Sequence, residues 1–495
     1  MTSTSPHGAT TRPGSVPHSL PDNAGRAATG IAIVLVAQLM FTLDATVVNV
    51  ALPRIDVALG FGPASLSWVL NAFTLAFGGL LLLGGRLGDV FGRRRLFLSG
   101  VALFTLASFA GGLAQTPEWL VAGRAAQGVG AALAAPGVLA LLTTSAPDEP
   151  ARLRALALFG AVSSGGLSLG LLLGGAVTDL GSWRWTMFIN VPIGLAVLAL
   201  TGRFVDETAR RPGRFDVVGA LTATGGAVAI VWSLIGAPEH GWGSPRTVLG
   251  LAAGVVLLVV LGITERRVAH PLLRPALLRS RQRVGGLGVI ALVVGGQLSM
   301  FFLAVQFIEH QLGFGPMRSG MAFLPLTLGI FAMSRVTPQL IQRVGVLPMM
   351  VTGSIGLTVS FAWLSTLNAS DTYLSGVLGP MLLNGVSAAL VFMPVTATVL
   401  GGVEPEHAGA ASGLLQTFQQ LGGAVGLAVI VSVYAAGSVP GEFLPGARAA
   451  FLTSATMAAL AGVVAVAALA RRRTAEAPGP TDAADADEEL EAVAA

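Results

Sequence analysis

Runs of roughly 17 to 25 apolar residues recur along the whole chain, each long enough to cross a ~30 Å hydrocarbon layer as an α-helix. The 495 residues are 53% hydrophobic and only 11% charged. A soluble chain carries about 25% charged residues, so less than half of the usual solvating surface is present. Length alone suggests about three soluble domains, but the charge deficit overrides that expectation. The sequence predicts an all-α polytopic membrane protein.

Apolar spans are expected near 28–52, 66–85, 96–114, 119–144, 153–178, 186–202, 217–235, 247–263, 285–308, 319–334, 346–367, 373–398, 409–435 and 449–470, fourteen in all. Arginine placement tests this count independently, because cytoplasmic loops are enriched in basic residues. With the N-terminus inside, the internal loops and C-terminal tail hold 21 of the 29 arginines, the N-terminal tail two, and the external loops five: Arg54, Arg184, Arg246, Arg318 and Arg448. Shifting the count by one helix scrambles that partition, so both ends are expected in the cytoplasm. Two longer basic connectors bracket spans seven and eight. The expected organisation is a disordered tail over 1–27, a six-helix bundle over 28–202, and basic connectors with two inserted helices over 203–284. A second six-helix bundle over 285–470 and an acidic disordered tail over 471–495 complete it. Paired six-helix halves with a site between them, near mid-membrane, are the plan of many secondary transporters.

Other counts exclude chemistry. With no Cys there are no disulfides, thiolate metal sites or cysteine nucleophiles. All 29 basic residues are Arg, so a Gly-Lys-Ser/Thr phosphate loop is impossible, and with it an ATP-driven pump built on this chain. The six His are scattered, without metal-ligand spacing, so no metal site and no enzyme is expected. The net charge of +4 does not indicate nucleic acid, because the arginines lie in short loops between spans.

Charge inside lipid is the most informative signal, since each instance costs ~2.5–3.5 kcal/mol. Asp44 in the first span and Arg124 in the fourth qualify, at depths of roughly 12 Å and 8 Å below the outer surface by the ~1.5 Å rise per residue. A carboxylate–guanidinium pair forms if those helices adjoin. Such a pair serves either helix packing or proton binding, and the second reading is preferred. On the first span Gln38, Thr42, Thr46 and Asn49 fall within about 80° at 100° per residue, one polar stripe facing either a watery cavity or a neighbouring helix. Asp44 points away from that stripe. Between spans two and three runs Gly85-Arg86-Leu87-Gly88-Asp89-Val90-Phe91-Gly92-Arg93-Arg94-Arg95, where three glycines permit a tight turn and an acid sits among four arginines.

This loop closely resembles the signature of the major facilitator superfamily. Leu43 to Pro53 is similar to the first-helix signature of its fourteen-helix drug:proton antiporters, Arg124 to Gly130 to their fourth-helix motif, and Trp183 to Gly194 to the segment entering their sixth helix. The resemblance runs from about residue 30 to 470. It implies a major facilitator fold, a gating role on the cytoplasmic side for Gly85, Gly88, Asp89, Gly92, Arg93 and Arg94, and proton coupling by Asp44 and Arg124. Span five carries Gly166, Gly170, Gly174 and Gly175, a face that allows close helix packing and corresponds to the antiporter motif. There Leu171 stands where the family has a proline. Phe73 stands where relatives have Tyr, and the stretch Phe307-Ile308-Glu309-His310 where they more often carry Tyr and Gln.

Amides and one acid at membrane depth complete the substrate-cavity candidates: Gln38, Thr42, Thr46, Asn49, Asn71, Gln127, Gln297, Glu309, Asn384, Gln416 and Gln420. Interhelical hydrogen bonds explain the amides about as well, and Glu309 reads either as an interfacial acid or as a second acid for a cationic substrate. The expected function is export of small amphipathic or antibiotic-like compounds by alternating access in the bacterial inner membrane. A proton gradient drives it with no cofactor, and the chain acts as a monomer whose partners are the lipid bilayer, protons and substrate. An importing symporter or facilitator is the nearer alternative, and a non-transporting membrane receptor the more distant one.

Overall fold

The computed structural model describes residues 21–62, 65–146, 148–207, 217–265, 275–403, 408–439 and 442–470. Among them the only β feature is an isolated bridge between Val439 and Glu442. The first half comprises α1 (Pro21–Leu59), α2 (Trp68–Phe91), α3 (Arg93–Gly112), α4 (Pro117–Ser145), α5 (Glu149–Leu180), the short α6 (Trp185–Phe188) and α7 (Asn190–Phe204). The inserted pair is α8 (Val217–His240) and α9 (Pro245–Thr264). The second half holds α10 (Pro275–Leu278), α11 (Arg281–Gln306), α12 (Pro316–Ala322), α13 (Leu324–Val344), α14 (Val346–Leu364), α15 (Leu378–Leu400), α16 (Ala408–Gly437) and α17 (Leu444–Leu469). Short π-helical stretches extend α11 over Phe307–Gln311 and precede α15 over Tyr373–Val377.

Every predicted span falls on a helix. By length and apolarity twelve helices qualify as membrane-crossing, or thirteen with Pro316–Val344 taken as one span bent by 49°. The remaining predicted span lies on α5, which runs 32 residues. The boundaries depart from expectation in instructive ways. The tail expected to residue 27 is helical from Pro21, and the acidic segment 471–495 lies outside the described residues. The sixth span is split at Ile189, because Pro192 has no N–H to offer the Phe188 carbonyl. The 49° bend in the tenth precedes Pro338, which leaves the Ser334 carbonyl without its helical donor.

Lipid tails are as apolar as Leu, so these helices associate by close packing and polar contacts rather than by dehydration. Glycine seams provide that closeness. Gly84 of α2 lies on the Ala132 carbonyl of α4, Gly100 of α3 on the Gly130 carbonyl, and Gly426 of α16 on Gly295 of α11. The inserted helix α8 touches both halves, with Thr224 against Gly79 of α2 and the Ser432 hydroxyl of α16 donating to the Leu234 carbonyl. Its partner α9 is outermost, with Leu249, Val255, Val256, Val259 and Ile263 turned outward.

Candidate functional site

Asp44 of α1 is fully buried, and its carboxylate accepts side chains from α4 and α7. Oδ2 accepts Nη1 of Arg124 at 2.5 Å; Oδ1 accepts Nε2 of Gln127 at 3.0 Å and Nδ2 of Asn190 at 2.7 Å. Gln127 Nε2 also lies 2.7 Å from the Ser108 hydroxyl of α3, and its Oε1 accepts Arg124 Nη1 at 2.9 Å. Arg124, 1% exposed, sends Nε to the Val69 carbonyl of α2 at 3.0 Å. Its guanidinium stands 4.6 Å above the centre of the Phe73 ring. A charge pair buried this deeply is sustained only when its remaining donors and acceptors are also matched. Here they are, by two amides, a carbonyl and an aromatic face.

The arrangement can do one thing chemically that a neutral network cannot. An ionised carboxylate is acceptor-only, whereas a protonated one carries a donor and holds a guanidinium more weakly. Gain or loss of one proton at Asp44 therefore rewires contacts among α1, α4 and α7 together. Sequence reasoning singled out Asp44 and Arg124 but gave Asn190 no role, although it lies in a quoted motif, and placed Gln127 among cavity candidates. Both amide atoms of Gln127 are engaged within this network. Phe73 supplies the ring face that Arg124 covers, a contact that a missing hydroxyl leaves intact.

The polar stripe of α1 does not face a cavity at its centre. Thr42 packs on Gly166, Thr46 on Gly170, and the Val47 backbone on Gly174 of α5. Built side chains at these glycines would strike α1 (the Cγ2 of Thr42 at 2.8 Å, the Cα of Val47 at 2.9 Å), so the glycine face is a seam between helices. Gln38 donates to the Thr42 hydroxyl at 3.3 Å, and Asn49 donates to the Ala45 carbonyl at 3.0 Å. Leu171 is 1% exposed within an uninterrupted α5. The next glycine, Gly175, crosses to the second half, where it meets the Pro316 carbonyl and Met317, while Gly320 of α12 meets the Leu171 carbonyl.

Other candidates stay apart from this cluster. Asn71 and Asn384 are fully buried, and neither amide atom of either has a hydrogen-bond partner among the described residues. Gln297 is 8% exposed with its Oε1 unpartnered. Gln416 and Gln420 are half-buried on α16, and Gln420 packs on Gly78 where the two halves touch. Glu309 lies in the π-helical turn that ends α11, not among the central amides.

At the cytoplasmic signature the expected three-glycine loop is mostly helix. Gly85, Gly88 and Asp89 lie within α2, because only Gly92, at φ +105°, adopts a conformation that demands glycine. Asp89 pairs with Arg93 at 2.8 Å and faces Arg86 at 4.0 Å. Arg94 Nη2 donates to the Gly202 carbonyl at 3.2 Å. Glu207, beyond α7, accepts the backbone N–H groups of Arg94 and Arg95 at 2.9 and 3.2 Å, closing the start of α3. A side chain at position 92 would lie 2.8 Å from that carboxylate. Glu207 went unnoticed in the sequence; its signal is an acidic Asp206-Glu207 pair opening an otherwise basic connector. Arg184, in the motif preceding α6, donates to the Gly112 and Ala114 carbonyls and so covers the C-terminal end of α3.

Twelve or thirteen helices long and apolar enough to cross a membrane, with an acid–arginine pair buried among them, define a multi-pass membrane protein. The sequence matches the model of the Major Facilitator Superfamily over residues 34–427, and the chain belongs to that family. It is 41% identical over 418 residues to the cephamycin export protein CmcT of Amycolatopsis lactamdurans, covering 83% of this chain and 86% of that one. The puromycin resistance protein pur8 of Streptomyces alboniger is 41% identical over 410 residues, with 82% and 81% covered. The lincomycin resistance protein of Streptomyces lincolnensis is 34% identical over 455 residues, with 90% and 92% covered. Among solved structures, an auto-inhibited peptide transporter of the POT family superposes with a TM-score of 0.66 at 17% identity. It covers 92% of this chain and 99% of its own. That likeness concerns the fold alone.

Proposed function

We propose that the protein is a proton-coupled exporter of small amphipathic, antibiotic-like compounds, working as a monomer by alternating access with both termini in the cytoplasm. The observation that carries this reading is the enclosed Asp44–Arg124–Gln127–Asn190 network, supported by relatives named for antibiotic export and resistance. No nucleotide site is needed, since an ion gradient supplies ~2.3 kcal/mol per charge per 100 mV. Protonation of Asp44 loosens Arg124 and lets α1 shift. Because Thr46 and Val47 flank Asp44 closely and rest on Gly170 and Gly174, that shift passes to α5, whose Gly175 touches the second half. Deprotonation toward the cytoplasm restores the pair and resets the halves. Asn71, Gln297, Asn384, Gln416 and Gln420 are the amides offered to substrate, which suits neutral or monovalent compounds.

Everted vesicles test the coupling. Substrate addition releases protons in the wild type, and Asp44→Asn at equal protein level abolishes that release. Undiminished proton release in Asp44→Asn overturns the mechanism, whereas substrate flux in the importing direction overturns export.

A further inference from the structure

The two halves meet a second time at the outer end, and the groups gathered there are titratable. From the first half come Arg54 and Asp56 at the end of α1 and Asp179 in the last turn of α5. From the second come Glu309 and His310 in the π-helical turn, Ser319 in α12 and Tyr434 in α16. The Glu309 carboxyl is within electrostatic reach of Arg54 and Asp179 and faces Ser319, whereas Asp56 is within reach of His310 and Tyr434. Gly315 brings the second half against Asp179, since a side chain there would lie 3.6 Å from its Oδ1. The Gly175–Pro316 and Gly320–Leu171 backbone contacts hold this end shut. Glu309 Oε1 is buried without a hydrogen-bond partner among the described residues, as is the Ser319 hydroxyl, and no ion pair within 4.0 Å joins Glu309 to Arg54. Single-turn π segments recur at functional sites, and this one carries both Glu309 and His310.

We propose that Glu309 is a second protonation site, separate from Asp44, that locks the outer contact between the halves. While this end is shut Glu309 carries a proton, and when it opens the proton passes to the outer solution. A carboxylate enclosed there, with the Ser319 hydroxyl as its one nearby donor and the Asp179 carboxyl of the opposite half within electrostatic reach, disfavours closure chiefly through lost hydration and also through like-charge repulsion, which Arg54 opposes. A neutral carboxyl removes the repulsion and offers an O–H to Ser319. The shut form thus binds one more proton than the open form, so external acid favours closure, by up to tenfold per pH unit where the group titrates.

The inference rests on alternating access, and the test separates the two. The chain contains no cysteine, so Leu180→Cys and Gln311→Cys, exposed at the outer ends of opposite halves, label cleanly with nitroxides. Pulsed dipolar distances on the full chain in nanodiscs are recorded from pH 5 to 8.5, with a monodisperse elution profile required of every variant. The expected result is a short distance favoured by acid in the wild type and His310→Gln, and a pH-independent short distance in Glu309→Gln. Glu309→Asp restores the pH response. A pH response unchanged in Glu309→Gln, or abolished by His310→Gln instead, overturns the proposal. A single invariant distance in all samples, with and without substrate, overturns alternating access itself.

Discussion

Removing Arg124 is the most severe small change the buried network offers, and the structure sets its size. Arg124→Leu takes from Asp44 its countercharge and one of three donors, removes a second donor from the Val69 carbonyl, and orphans the Gln127 Oε1. Breaking a buried pair on one side costs about 3–5 kcal/mol, because the remaining charge has no water to return to. Asp44→Asn also leaves an uncompensated buried charge, but Arg124 keeps Val69, Gln127 and the Phe73 ring, so a loss at the lower end of that range, about 3 kcal/mol, is expected. Removing both charges leaves a neutral amide among Gln127, Asn190 and Ser108 with no uncompensated charge, which costs less than a lone buried ion. The double variant should therefore be more stable than Arg124→Leu alone, with a coupling of roughly 3 kcal/mol. Thermal unfolding in lipid nanodiscs, followed by tryptophan fluorescence, gives the order wild type, then double variant, then Arg124→Leu. Additive losses, with the double variant least stable, would refute the claim that the two charges are held by each other.

Further outcomes follow from the same geometry. Asn384→Leu removes an amide with no partner, so it should raise stability by about 1–3 kcal/mol while lowering substrate efflux; lower stability contradicts the assigned environment. Gly92→Ala forces a non-glycine residue to φ +105° beside the Glu207 carboxylate, and should cost about 1–3 kcal/mol and most of the transport rate. Glu207→Gln in that background should recover little, because the backbone angle is the larger problem. Gly170→Val drives a side chain into Thr46, an overpacking worth about 1–3 kcal/mol, and cross-linking rates between α1 and α5 should fall as the seam widens. Asn190→Leu should uncouple proton release from substrate movement more than it lowers the melting temperature.

Much of the fold was legible because a charge deficit and repeated apolar runs leave few alternatives to a helical membrane protein. The two charges placed deepest in lipid were also legible, since each is too costly to be accidental. Facing was not. A helix that is apolar nearly all round has no periodicity to say which neighbour a given residue meets. Thr42 and Thr46 therefore looked suited to a cavity as well as to a seam, and only the position of the α5 glycines decides for the seam. Gly84 shows the same limit from the other side. The loop signature singles out Gly85 and not its neighbour, yet it is Gly84 that lies on the Ala132 backbone, while a side chain at Gly85 would reach only to 3.6 Å from Pro136.

The amino-acid order by itself determined the solvent of this protein, the approximate length of its helices, and the presence of one acid and one arginine deep in the first half. Tertiary structure alone decided what surrounds them. Asn190 and Phe73 reach the pair from helices distant in sequence, Ser108 reaches Gln127 beside it, and Glu309 comes within electrostatic reach of Asp179 and Arg54 only because the halves close on each other. The physical reason is that hydropathy is a property of each residue, whereas satisfaction of a buried polar atom is a property of its neighbours.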